Sequence, residues 1–216
     1  PDMLTAIKRS EESGADSITM HLREDRRHIQ FDDIKIARKY IQTKLNLEMA
    51  PTQEMCEIAN QVKPDFVCIV PEKRQELTTE GGLDVKKNFD FLKDIIHNLE
   101  DSGALISLFI EPDKKIIDLA KKLNVGAVEL HTGKYAEAND ADKNTYIEQI
   151  KDASDYANNI SLIVNAGHGL DYTNVKEIAK IKDINELNIG HSIIAESIFL
   201  GLADSIKKMK KIITSN

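Results

Sequence analysis

Glu48 stands inside the otherwise apolar run "LNLEMA" (45–50). A carboxylate on a buried strand is costly unless it is paired or put to use. Comparable residues recur where other apolar runs end. His21 closes "SITMHL" (17–22), and Glu129 and His131 stand two apart in "AVELH" (127–131), so they share one face of a strand. Glu111 follows "LISLFI" (105–110), and "FVCIVP" (66–71) runs into Glu72, Lys73 and Arg74. Asn165 belongs to "SLIVNA" (161–166), just ahead of Gly167, His168 and Gly169; Asn188 belongs to "ELNIG" (186–190), just ahead of His191 and Ser192. Five of the chain's six histidines lie in or just after these runs, and only His97 falls in mid-helix. Histidine titrates near ~6.5 when unperturbed, and burial tunes a glutamate upward. Together they suit a reaction that moves several protons near neutral pH.

Two further stretches suit anions. "NAGHGL" and "NIGHSI" each set Gly-His at a strand-to-helix turn. There glycine admits backbone N–H groups close to a ligand, and the next helix points its positive end at the same place. The cluster Arg23, Arg26, Arg27 and His28 offers a second anion site, with Glu24 and Asp25 expected to neutralise part of it, so that one or two of these side chains reach a ligand. The polar, glycine-bearing segment 71–84 is expected to act as a lid, with Thr78 and Thr79 presenting hydroxyls.

Positioning these groups falls to seven strand-length runs separated by helical stretches. Met55, Ile58, Ala59 and Val62 keep helical spacing, as do Ile116, Ala120 and Leu123, and Val175, Ile178 and Ala179; a last helix is expected from about Ile194 to Ile213. Strict alternation implies a parallel sheet covered by helices, with ligands outside the carboxyl ends of the strands. Seven βα units in 216 residues fall about one unit short of a TIM (β/α)8 barrel of ~250 residues. The expected fold is that α/β barrel as one domain over 1–216, with its first strand expected before Pro1. A hydrophobic content of 41% supplies one core, and no apolar run approaches the ~18 residues of a membrane span. A net charge of −7 argues against a nucleic-acid partner. Cys56 and Cys68, with no CxxC pair, are expected to be reduced thiols of a cytoplasmic protein.

Read in order, "HLREDRRHI", "NLEMA", "PEKRQELTTEGGLDV", "SLFIEPD", "ELHTGKYA", "NAGHGL" and "ELNIGHSII" resemble the pyridoxine 5′-phosphate synthase family over essentially the whole chain. The resemblance implies a TIM barrel that assembles as a homo-octamer of paired dimers and works without a cofactor or metal. It implies condensation of two small phosphorylated substrates, 3-amino-2-oxopropyl phosphate and 1-deoxy-D-xylulose 5-phosphate, into pyridoxine 5′-phosphate, phosphate and water. By position it makes His21 and Glu48 proton acceptors, His168 the proton donor, and Glu129 a support for the transition state. It gives Arg23, His28 and Thr78 to the deoxyxylulose phosphate, and Gly169, Gly190 and His191 to the aminooxopropyl phosphate. The family's first strand also carries an Asn, an Asp-His pair and, just beyond, an Arg; this sequence opens after the place they occupy. Two other readings use the same residues: a metal-dependent barrel enzyme, and a non-catalytic binder of phosphorylated sugars.

Overall fold

The computed structural model describes residues 2–73 and 81–215. Its seven strands are β1 (Ile18–His21), β2 (Leu45–Met49), β3 (Phe66–Ile69), β4 (Leu105–Ile110), β5 (Ala127–His131), β6 (Ile163–Gly167) and β7 (Glu186–Asn188). They form one sheet in chain order, and every neighbouring pair is parallel. A parallel neighbour demands a crossover. The helices between strands supply it: α2 (Phe31–Tyr40), α3 (Gln53–Val62), α4 (Phe89–Asn98), α5 (Lys114–Lys122), α6 (Gly133–Glu137), α7 (Lys143–Asn159) and α8 (Val175–Ala179); α1 (Met3–Glu12) precedes β1, and α9 (His191–Leu200) and α10 (Leu202–Thr214) follow β7. The sheet curls into a nearly closed α/β barrel of the TIM type. Among the described residues no backbone ladder joins β1 to β7, yet Thr19 Oγ1 of β1 donates to Asn188 Oδ1 of β7 at 2.8 Å.

Strand parity explains what faces where. Side chains alternate across a strand. In β2, Leu45, Leu47 and Met49 are fully buried against the helices, while Asn46 and Glu48 turn into the lumen. The same alternation sends Val67, Ile69, Leu108, Ile110, Val128, Leu130, Val164 and Ala166 outward into the core beneath the helices. The lumen receives Thr19, Cys68 and Glu129, whose side chains meet there those of Asn46 and Asn188. Helix starts are fixed by caps. Asp2 accepts from Thr5 N at 2.7 Å, Thr52 from Met55 N at 3.3 Å, and Asp113 from Lys115 N at 2.7 Å. Each satisfies a donor that the first helical turn leaves without a partner.

Several strand ends shift by one or two residues from the sequence expectation, and two differences have a local physical cause. Strand 161–166 begins later, at Ile163, because Ser161 takes a left-handed φ of 61° and its N–H closes the end of α7 on Asn158 O at 2.8 Å. The expected last helix is two helices, with the break at Gly201 (φ 76°, ψ 155°). That backbone region is essentially glycine-only. Among the described residues no helix is long and apolar enough to cross a membrane. Helix α9 buries none of its residues, and Ile194, Ile198 and Phe199 are exposed. Replacing Gly201 by Ala meets no neighbouring atom within 4 Å, so its cost is conformational alone. Gly201→Ala is expected to lower unfolding free energy by about 1–3 kcal/mol, measured by urea denaturation; an unchanged midpoint would contradict a strained break between α9 and α10.

Candidate active site

The residues singled out for chemistry gather at the carboxyl end of the sheet and just inside it. His21 ends β1 and its Nε2 lies 2.8 Å from Glu72 Oε1, just beyond β3. The other Glu72 oxygen accepts from Glu24 N–H at 3.0 Å, so the carboxylate is held from two sides. The Glu72 side chain is 4% exposed. As a carboxylate, Glu72 accepts from Nε2–H, which leaves the Nδ1 lone pair of His21 free. That nitrogen faces Glu48 Oε2 at 3.7 Å, beyond direct hydrogen-bond reach but close enough to sense its charge. Burial lowers the His21 pKa, with the Glu72 hydrogen bond opposing it.

Glu48 and Glu129 meet no cation within bonding distance among the described residues. Burial pushes Glu48 up to about 7. Glu129 lies one pleat below His131, is 3% exposed, and is pushed up to about 8 by burial first and by the charge of Glu48 second. Its Oε2 accepts from Asn188 Nδ2 at 2.8 Å and faces Cys68 Sγ at 3.7 Å. Asn188 in turn accepts from Thr19, and Asn46 Nδ2 donates to Thr19 Oγ1 at 3.3 Å. A hydrogen-bonded chain thus crosses the lumen from β2 through β1 and β7 to β5. Gly167 makes room for it, since a Cβ there would lie 2.4 Å from Glu129 Oε1 and 2.9 Å from Asn188 O.

The opposite side carries the second group. His168 follows β6 with a left-handed φ of 83°, uncommon for a side chain of its size. Thr132 Oγ1 is shared between Gly167 O at 2.7 Å and His168 O at 2.6 Å, pinning this turn to the end of β5. Partial burial, and then the neighbouring His131, lower the His168 pKa. Gly169 takes the next left-handed position (φ 75°), and Gly190 caps α9 ahead of His191. Ser192 Oγ donates to Leu170 O at 2.8 Å, which ties the two Gly-His turns together as one concave edge.

The arginine cluster divides as its charges require. Arg27 pairs with Asp25 at 2.7 Å and Arg26 with Glu54 at 2.6 Å, and Lys73 takes Glu24 at 2.9 Å. The hydrogen bond from Arg27 holds the Asp25 carboxyl down at about 2. Arg23 touches Asp25 only at 3.4 Å, and the His28 ring lies 6.2 Å from that of His21. These two therefore remain beside His21. Thr78, Thr79 and most of the segment read as a lid lie outside the described residues. Among the described residues no group of three His, Cys, Asp or Glu side chains is arranged to hold a metal ion. Sequence reasoning reached Glu72 and Asn188 as strand-end residues but gave them no role, and it read Cys68 only as a reduced thiol. Their parity with His21, Glu48 and Glu129 was the available signal.

The family described as pyridoxal phosphate biosynthesis protein PdxJ matches residues 1–215. A pyridoxine 5′-phosphate synthase of Prochlorococcus marinus is 51% identical over 216 residues, covering 100% of this chain and 91% of that protein. One from Sulfurihydrogenibium sp. is 53% identical over 216 residues, covering 99% and 89%. Among solved structures, a 4-hydroxy-2-oxoglutarate aldolase from TTHB1 superposes with a TM-score of 0.69 at 11% identity, covering 99% of this chain and 89% of that one. The phosphoribosylanthranilate isomerase of Thermotoga maritima superposes with a TM-score of 0.63 at 14% identity, covering 99% and 94%. At such identities these two speak for the fold alone.

The raised carboxylate has a consequence for stability. An unfolded chain releases the Glu129 proton near its ordinary 4.5, and the folded chain near 8. Between those values the folded state holds more protons, so rising pH favours unfolding. Glu129→Gln removes that liability while keeping an acceptor for Asn188. Relative to the parent, the variant is expected to gain on the order of 1 kcal/mol per pH unit across this window and nothing below it. Urea unfolding at several pH values checks this; parallel stability curves for the two proteins would contradict it.

Proposed function

The chain belongs to the pyridoxal phosphate biosynthesis protein PdxJ family and acts as a pyridoxine 5′-phosphate synthase, and from that premise we propose which of its residues carry the reaction. The reaction is condensation of 3-amino-2-oxopropyl phosphate with 1-deoxy-D-xylulose 5-phosphate, with loss of phosphate and water. An amine joins a ketone, a carbon acid beside the resulting imine is deprotonated, and water and phosphate leave before the ring closes. Each step moves a proton at carbon, oxygen or nitrogen. The observation that carries the assignment is the gathering of His21, Glu48, Glu129 and His168 at the same end of one lumen, with carboxylates raised and imidazoles lowered in pKa.

His21 and Glu48 are the proton acceptors. Glu72 supports that role, because its hydrogen bond to Nε2 leaves Nδ1 of His21 free as a base. Burial keeps Glu48 near 7, so it holds a proton as readily as it gives one up. Glu129 stays protonated at neutral pH and stabilises negative charge forming on the substrate. His168 is the proton donor; a lowered pKa makes its imidazolium a stronger acid once formed. Arg23, His28 and Thr78 hold the deoxyxylulose phosphate. Gly169, Gly190 and His191 hold the aminooxopropyl phosphate, supported by the ten-residue helix α9, whose N-terminus carries no side-chain cap and so leaves its first-turn N–H groups to a ligand. The enzyme works in the cytoplasm as a homo-octamer. Two unpaired, buried thiols support the first reading. The exposed apolar residues of α9 support cover by further chain, as an assembly provides.

The test is turnover of both substrates to pyridoxine 5′-phosphate by Glu48→Gln. This variant keeps size and hydrogen-bonding capacity and loses the titrating group. It is expected to fold normally, to bind both substrates and to turn over at least ~100-fold more slowly. Near-parental turnover would remove Glu48 from the mechanism. Failure of the parent itself to form product while still binding phosphorylated sugars would instead favour a binding protein.

A further inference from the structure

A second buried acid–histidine pair lies next to the site and has no part in the steps above. His131 Nδ1 is 2.8 Å from Glu111 Oε1, and both side chains are 7% exposed. Gly82 N–H donates to the same Glu111 oxygen at 2.9 Å. An oxygen that accepts from the Gly82 N–H accepts from His131 in the same way, which puts the His131 proton on Nδ1. The rest of the ring is then locked. Phe109 packs edge-on at 5.1 Å between centroids, and a Cβ on Gly133 would lie 2.6 Å from Nε2.

The outer edge of this locked ring meets His168. The two ring centroids are 4.8 Å apart at 60°, and Phe109 also reaches the His168 ring at 6.2 Å. The adjoining Thr132 hydroxyl holds the His168 carbonyl. Positions 131 and 132 thus hold both ends of His168: Thr132 its left-handed backbone, His131 its imidazole. Among the described residues no hydrogen bond reaches either His168 ring nitrogen, so its angle is set by ring packing, most closely by His131 and more distantly by Phe109.

We infer that Glu111 and His131 form a positioning pair for His168, Glu111 setting the tautomer and angle of His131, and the His131 ring setting the angle at which His168 addresses the substrate. This rests on the reading of His168 as proton donor. A donor misplaced by about 1 Å can cost ~100-fold in rate, which is reason enough to spend a buried, hydrogen-bonded histidine on orientation. The pair touches no substrate in this account and acts only through its neighbour.

A double-mutant cycle tests it. His131→Asn puts its Nδ2 where the ring Nδ1 lies, so Glu111 keeps a donor and the fold is kept, but the ring edge against His168 is gone. Expected is a fall in kcat of ~10–100-fold, with KM for the deoxyxylulose phosphate within about twofold of the parent. In a His168→Asn background the same change is expected to alter kcat by less than about twofold, because its target is already absent. Glu111→Gln, which keeps an acceptor for both N–H groups, is expected to give a smaller fall, likewise confined to the background that retains His168. Equal factors in both backgrounds, or an unchanged kcat in His131→Asn, would overturn the positioning role. Parental turnover in His168→Asn alone would overturn the reading of His168 itself, a result the cycle reports separately.

Discussion

Burying two carboxylates in one lumen is the constraint from which the rest of this site follows. Each ion loses hydration, and each repels the other. Among the described residues the barrel supplies no cation to Glu129; it supplies an amide, a thiol and a protected volume. Asn188 offers one N–H and is itself oriented by Thr19, which Asn46 orients in turn. Neutral donors of this kind relieve a carboxylate without quenching its ability to take a proton. An arginine in the same place would fix it as an anion and remove it from acid–base work. The lumen is polar, and the core proper lies outside the sheet, under the helices.

Much of this was legible in the chain. Period-two alternation in "LNLEMA" and "AVELH" separates the apolar faces of β2 and β5 from the faces that carry Glu48, Glu129 and His131. The direction of a parallel sheet then puts every strand's carboxyl end at the same mouth. Glycine beside histidine after β6 and before α9 marked the two turns that Ser192 and Leu170 join into one edge. Local rules suffice for these readings because each concerns one strand or one turn.

What was not legible depends on the curl of the sheet. Thr19 and Asn188 are 169 positions apart and meet only because β1 and β7 are brought together. Cys68 approaches Glu129 across the lumen, with a whole strand between β3 and β5. Glu72 read as one charge of a run until the turn after β3 swung it onto His21. Gly201 interrupts a helical pattern that periodicity alone carried through, because an exposed apolar helix such as α9 offers no face by which to sense the break. The first three are distances fixed by closure that no window of sequence contains; the Gly201 break is local and lay hidden under a continuous helical period.

The two halves of the site answer to burial in opposite senses. Burial penalises charge of either sign, so it raises carboxyl groups and lowers imidazoles. Glu48 and Glu129 rise toward neutrality from below, and His21 and His168 fall away from their ordinary value. In water a glutamic acid is a far stronger acid than an imidazolium, and a proton passed from one to the other would rest firmly on the histidine. Inside this lumen the order narrows and can invert, so that a proton moves between the two kinds of group at small cost in either direction. A condensation that alternately withdraws and returns protons requires that balance. Here it arises from partial desolvation of a few groups at one end of a barrel.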